Sequence, residues 1–413
     1  MNNSRITVLL GAGAMCDCTH ITTQKLTDEV VNKDQDYWDT TTQCIKTYPL
    51  LSNIKTDLES HFLPNESVSF EDILHTLEMM DSYYSSLQER TVKQYRSVFP
   101  AFTQLSEKYL EMLPHIYAAK KDLIGTIIQE IAVHESGWTD AQNQWFPSFF
   151  KALGAQHKLD LFPLNYDTWL EQIFEHKYCD GYAPFDDCYS VFSPARVFSH
   201  DPILHSINHL HGQICFTSHH PTQRNKYIWE SICHLYKANN FDVVNQYKIY
   251  PRYAGRKAPT QSGEHIDLFP IITGLRKTEK ILTQPFDAYF HHFYQSIFQN
   301  SKLLIIGYGF GDLYLNSILE QFTSIHGENG KAVVITYLNK TDWVPWIYDN
   351  PSISHNMKQF LYHLYQETDF SDRLIAWEQP DFIDSKNQTK SIYTLGFQNT
   401  AKNYVQRILD TFA

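Results

Sequence analysis

Apolar positions in this chain follow two patterns. Short apolar runs at residues 5–10, Leu159–Leu164, Leu303–Ile306 and Val333–Leu338 read as strands, and the last two are of the kind buried on both faces of a parallel sheet. Arg196–Ser199 and Ile207–Cys215 read as further strands. Elsewhere the spacing is helical. Phe70, Ile73, Leu74 and Leu77 share one helix face, and Ser69 with Asp72 before them has the form of a capping box. Thr23–Asn32, capped by Thr22 or Thr23, Ala101–Met112, His115–Val133, the aromatic-rich Asp287–Gln299 and a closing segment near Lys402–Phe412 also read as helices. The pattern predicts an α/β protein with a Rossmann-like parallel sheet, a large helical insertion and a C-terminal extension. The sheet domain takes residues 1–33 and 157–340, the insertion 34–156, and the tail 341–413 reads as a packing or interface segment.

The predicted strand ends carry small and polar residues. Gly11-Ala12-Gly13 follows the first strand, Asn165-Tyr166-Asp167 the second, His211-Gly212 a third, and Gly307-Tyr308-Gly309-Phe310-Gly311-Asp312 a fourth. Asn339 follows a fifth. In an open parallel sheet such ends converge on one crevice, where ligands bind. Glycines after a strand let the backbone approach a pyrophosphate beside a helix N-terminus. A dehydrogenase fingerprint would place a third glycine at position 16, where Cys16 stands. Each motif has a plainer reading. The glycines can be tight turns, Asp167, Thr168 or Asp312 a helix cap, and Asn165 or Asn339 a turn former. His209 and His211 share a strand face, so alternation does not choose between them. Gly212 favours His211, because it lets the chain turn and a ligand approach.

The net charge of -12 argues against direct nucleic-acid binding, which needs a basic face. The most basic stretch, 251–259, reads as a solvated loop, or else as a cover over a phosphate-bearing ligand. Seven cysteines at irregular spacings, with no Cys-x-x-Cys pair, exclude a zinc ribbon and fit reduced thiols in the cytoplasm. No metal site is expected. The first residues run straight into a strand, which does not resemble a leader. No apolar run reaches the roughly 20 residues that span a bilayer, so a cytoplasmic protein without membrane contact is expected.

The order of glycine turn, Asn-x-Asp, His-Gly and late glycine turn resembles the sirtuin family. Within it the chain is similar to the bacterial sirtuin-like NAD-consuming proteins of antiphage defence. Thr22-Thr23-Gln24-Lys25-Leu26-Thr27, Phe70-Glu71-Asp72-Ile73-Leu74 and Thr273-Gly274-Leu275 resemble that branch as well. The resemblance implies that NAD is the substrate. Gly11, Ala12 and Gly13 would contact its pyrophosphate. Asn165 would hold the nicotinamide ribose and an attacking water, and Asp167 the carboxamide. His211 would be the general base, and Gly307, Gly309 and Asn339 would line the adenosine half. Nicotinamide departs from NAD neutral, so no general acid is needed. A neutral histidine of ordinary pKa, about 6.5, can take the proton.

Deacetylating sirtuins carry a zinc ribbon and a Gly-Ile-Pro-x-Phe-Arg motif. This chain has Cys18-Thr19-His20-Ile21-Thr22-Thr23 in that region, and Met15 replaces a serine of the glycine turn. The expectation is therefore an NAD hydrolase releasing nicotinamide and ADP-ribose, an activated effector of antiphage defence by NAD depletion. A protein deacylase, an ADP-ribosyltransferase and a non-catalytic NAD-binding scaffold are the alternatives. Because unchecked activity would poison its own cell, the resemblance also implies gating, by homo-oligomer formation, by a HerA-type ATPase partner or by a bound ligand.

Overall fold

The computed structural model describes residues 5–32, 35–39, 43–61, 67–88, 113–175, 177–199, 203–217, 235–239, 258–259, 265–266, 269–274, 277–338, 354–365 and 381–413. Its centre is an eight-stranded sheet. In chain order the strands are β1 (Arg5–Leu10), β2 (Lys158–Pro163), β3 (Tyr178–Cys179), β4 (His205–Ile207), β5 (Lys302–Ile306), β6 (Lys331–Ile335), β7 (Phe382–Asp384) and β8 (Lys390–Tyr393). In space the order is β7-β8-β6-β5-β1-β2-β4-β3, parallel throughout except for β7 against β8. This is the α/β, Rossmann-like sheet that the apolar runs predict. The chain leaves β1 for β2 on one side and returns with β5 on the other. β1 therefore marks the switch in strand order beside which α/β folds bind ligands.

The helices are α1 (Gly13–Thr19), α2 (Thr23–Val31), α3 (Leu50–His61), α4 (Phe70–Gln88), α5 (Leu113–Val133), α6 (Trp145–Gln156), α7 (Trp169–Phe174), α8 (Pro194–Phe198), α9 (Lys277–Ile281), α10 (Phe286–Gln299), α11 (Leu313–His326), α12 (His355–Tyr365) and α13 (Phe397–Phe412). Alternate strand residues face opposite sides of the sheet. Leu9, Phe162, Leu303, Ile305 and Val334 pack on α10, α11 and α12. Val8, Leu10, Leu161, Leu304, Ile306 and Val333 pack on α6, α7 and α13. A third core joins α2, α3, α4 and α5, with Ile214, Cys215, Phe269 and Ile271 from loops beside the sheet. The helical unit is thus anchored on the loops that carry the strand-end motifs. No described helix is long and apolar enough to cross a membrane.

The caps form as the sequence suggests. Thr22 accepts from Lys25 N at 3.1 Å, and Ser69 N and Asp72 N bond reciprocally with the side chains of Asp72 and Ser69. Several elements differ. Arg196–Ser199 is not a strand but lies in α8 and its cap, because Pro194 sits at a helix start, where its fixed φ is favourable. The strand expected over Ile207–Cys215 ends at Ile207. Beyond it the chain turns at Gly212, φ 88°, and forms a single bridge to Ile271. The last sheet strand expected to run to Leu338 ends at Ile335. The glycine turn enters α1 directly, before α2. Residues 34–156 include a hairpin, Gln35–Asp39 with Cys44–Tyr48. Part of the tail joins the sheet as β7 and β8, and Phe397 at the start of α13 packs edge-on against Trp145 and Phe149 of α6. Ala101–Met112, the basic stretch up to Lys257, and Asn339 lie outside the described residues.

The two glycine turns meet. Gly11 N donates to Ile306 O at 2.8 Å, and Gly13 N to Gly307 O at 2.9 Å. A Cβ on Gly307, at φ 59°, would lie 2.2 Å from Ala14 N, whereas one on Gly309 would meet nothing within 4 Å. Gly307→Ala is therefore expected to destabilise the fold by at least about 1–3 kcal/mol of strain, and Gly309→Ala to be nearly neutral. Thermal unfolding of the two variants checks this; equal melting temperatures would contradict it.

Candidate active site

A cavity of about 600 Å³ opens at the C-terminal edge of β1, β2 and β5, within the roughly 300–1,000 Å³ usual for small-molecule sites. Of the sequence candidates, Gly11, Ala12, Asn165, Asp167, His211 and Gly309 line it. Gly13 and Gly307 are spent on the contact between the turns. Two of the three N–H groups at the first turn bond to the second turn, which leaves that of Ala12. Opposite walls come from Thr19, Thr22, Thr23 and Leu26 around the start of α2, from Phe70 and Glu71 of α4, and from Lys277, Asp312 and Tyr314. Among the described lining residues Lys277 is the one lysine or arginine, and its ammonium pairs with Glu71 at 3.1 Å.

Asn165 follows β2, whose ladder continues through Leu164 N to Leu10 O at 2.8 Å. Its Nδ2 donates to Gly11 O at 3.1 Å, which fixes the amide plane and leaves Oδ1 as an acceptor without a partner among the described residues. Asp167 accepts from Trp169 N at 3.1 Å, one residue before the Thr168 N-cap, whose own side chain makes no cap bond. Burial raises its carboxyl to about 6, against the pull of the nearby His209 cation. Glu135, at the end of the helical unit, receives Thr168 N at 3.0 Å and Thr168 Oγ1 at 2.6 Å. Burial and the charge of Asp167 raise it to about 7, although the Thr168 bonds work the other way.

His211 is held by Gly212. A Cβ there would stand 2.1 Å from Pro270 O, and Ile272 N donates to His211 O at 2.7 Å. His211 Nε2 is buried 3.3 Å from Asp312 Oδ2, near enough for an ion pair but not aligned as a hydrogen bond. Asp312 was legible in the sequence only as a cap, which it is: its Oδ1 accepts from Tyr314 N and Leu315 N. Burial works to raise its carboxyl, but His211 and the cap N–H groups hold it below its ordinary value. A carboxylate at Nε2 favours the tautomer with its proton there, so Nδ1, which has no protein partner among the described residues, is the nitrogen free to accept a proton.

His209, the other histidine, is buried. Its Nε2 meets Glu171 Oε1 at 2.9 Å, and its Nδ1 faces Asn165 O at 3.2 Å. Glu171 Oε1 also receives Lys237 Nζ at 3.3 Å, and Lys237 reaches Asp180 at 2.7 Å. Burial alone would raise Glu171, but His209 and Lys237 hold it at about 2. Sequence reasoning weighed His209 and set it aside in favour of His211, and it missed Glu171, Lys237 and Glu135. Burial, then the charge of Asp17, raises both thiols beside the glycine turn, Cys16 and Cys18, the latter to about 12. Among the described residues no three His, Cys, Asp or Glu side chains are grouped to hold a metal ion.

Residues 161–354 match the family model of the SIR2-like domain. No curated protein matches the chain. The match supports a sirtuin-like family and, broadly, NAD-dependent chemistry. It begins inside β2, so the Gly11–Gly13 turn lies outside it. The pairings Leu9 with Ile305 and Leu9 with Phe162 place that turn against the matched part.

The raised carboxyls give a pH signature. The folded state keeps Asp167 and Glu135 protonated above the ordinary carboxylate range, so these two groups bind more protons than in the unfolded chain up to about pH 7. Their effect on stability is thus favourable at low pH and fades as pH rises through that window. Asp167→Asn, which keeps the acceptor for Trp169 N, should become more stable relative to the wild type between about pH 4 and pH 7. Unfolding curves across that range check it; a constant difference would contradict it.

Proposed function

We propose that this protein hydrolyses NAD to nicotinamide and ADP-ribose. The observation that carries the reading is that Asn165, Asp167 and His211, from two separate strand ends, line one cavity with the first glycine turn. The bond broken joins C1 of the ribose to the nicotinamide nitrogen. Its electron pair leaves with the ring, which departs neutral, and positive charge builds on the ribose. The carboxylate of Asp312 supplies a negative field in that region, and Asp167 binds the carboxamide of the nicotinamide. A water oxygen bonds to C1 and gives up its proton to Nδ1 of His211, and Asp312 stabilises the resulting imidazolium at Nε2. The free Oδ1 of Asn165 accepts from a ribose hydroxyl or from the water. Holding these partners in place contributes several kcal/mol of the barrier. The Ala12 N–H, the turn at Gly309–Gly311 and Lys277 suit the phosphates.

The lack of a paired-cysteine ribbon favours water over acyl-lysine as the partner. Deacylation or ADP-ribosyl transfer would instead yield O-acyl-ADP-ribose or modified protein, and a scaffold would bind NAD without turnover. An unrestrained hydrolase would empty its own cell of NAD, so the reading includes gating by self-assembly, by a HerA-type ATPase or by a bound ligand. It also includes a role in antiphage defence, on the ground of resemblance alone.

Incubation with NAD and chromatography of the products test the activity. The wild type is expected to release nicotinamide and ADP-ribose, and His211→Ala and Asn165→Ala to lose at least about 100-fold in turnover. Full activity in either variant would remove that residue from the mechanism, and O-acyl-ADP-ribose as the main product would replace hydrolysis by deacylation.

A further inference from the structure

The buried charges behind the cavity are not needed for the hydrolysis described above, yet they are tied to it. His209 and Glu171 are 2% and 7% exposed, and ion pairs sealed in this way seldom add stability over apolar residues of similar size. Both ring nitrogens of His209 face acceptors, the Asn165 carbonyl and the Glu171 carboxylate. Only an imidazolium, with a proton on each nitrogen, can donate to both. Glu171 is further held by Gln213 Nε2 at 3.2 Å and by Lys237, and Lys237 is anchored on Asp180. Asp167 lies near enough to feel the charge. The acceptor at the far end of this chain of bonds is the main-chain oxygen of the residue whose side chain bonds to Gly11. His209 also stands two residues before His211, so one fixed ring ties together the loops that carry both.

We propose that His209 is a positioning residue. As an imidazolium braced by Glu171, Lys237 and Asp180, it holds the Asn165 carbonyl and so sets the orientation of the Asn165 amide in the cavity. The consequence for turnover rests on the NAD-hydrolase reading; the orientation of Asn165 does not.

In protein labelled with ¹⁵N-histidine, both ring nitrogens of His209 should carry protons at about pH 8, above the ordinary histidine range. A bare Nδ1 there overturns the proposal with no variant needed. In His209→Gln, turnover at saturating NAD should fall about 100-fold while KM changes far less. The side-chain amide signal of Asn165, identified by its loss in Asn165→Ala, should also move. His209→Gln/Glu171→Gln removes the stranded carboxylate, so it should regain melting temperature without regaining turnover. Joint recovery of both would show that His209 serves stability alone and would overturn the proposal. If the wild type leaves NAD intact, the hydrolase reading fails, and the Asn165 signal still decides: movement in His209→Gln supports the positioning role and an unmoved signal refutes it.

Discussion

Backbone contact between two turns nearly 300 residues apart in sequence sets the shape of the site. Gly13 N bonds to Gly307 O, and side chains on Gly11 or Gly307 would collide with the opposite backbone at 2.5 Å and 2.2 Å. With no side chains between them, the ends of β1 and β5 close into one continuous rim. Leu164 continues the ladder from β2 onto Leu10, so Asn165 arrives beside Gly11. Asp312, at the far end of the second turn, then reaches both its own helix and His211. Asn165 and Asp312 are placed by this arrangement of β5, β1 and β2, His211 is brought to it by the Gly212 turn against Pro270 and Ile272, and the helical unit closes the opposite side.

Two kinds of electrostatic setting share this rim. Burial raises Asp167, at the cavity wall, and Glu135, bonded to Thr168, toward neutrality, whereas Asp312 is held ionised by His211 and two N–H groups. Behind the wall, Glu171 pairs with both His209 and Lys237, and Lys237 pairs in turn with Asp180. Such separation of environments lets similar residue types take different roles: His211 keeps one nitrogen free, while His209 has both occupied.

Much of this was legible in the sequence where a pattern is local. The runs that became β1, β2, β5 and β6 are apolar because both sheet faces are covered, and the caps at Thr22 and Ser69 are written within four residues. The motifs at Gly11, Asn165, His211 and Gly309 were legible for the same reason. Longer-range features were not. β8 is a four-residue strand in a polar tail, and its burial comes from β6, α13 and the sheet edge. The segment 207–215 reads as one strand, but the ladder ends at Ile207 and the chain turns at Gly212. His209 and Glu171 are 38 positions apart, and Lys237 lies 66 beyond Glu171. No spacing rule joins them, so the more deeply set histidine looked like the spare one. Asn339 lies outside the described residues, and its part in the adenosine half stays a proposal.

The central claim is that the cavity at the ends of β1, β2 and β5 is where NAD is held and broken. A crystal structure of the His211→Ala variant soaked with NAD tests it most directly. The account predicts intact NAD with its nicotinamide ribose against Asn165 and Asp167 and its phosphates between Ala12 and Gly309. NAD bound elsewhere, or a cavity left empty at saturating NAD, would contradict it.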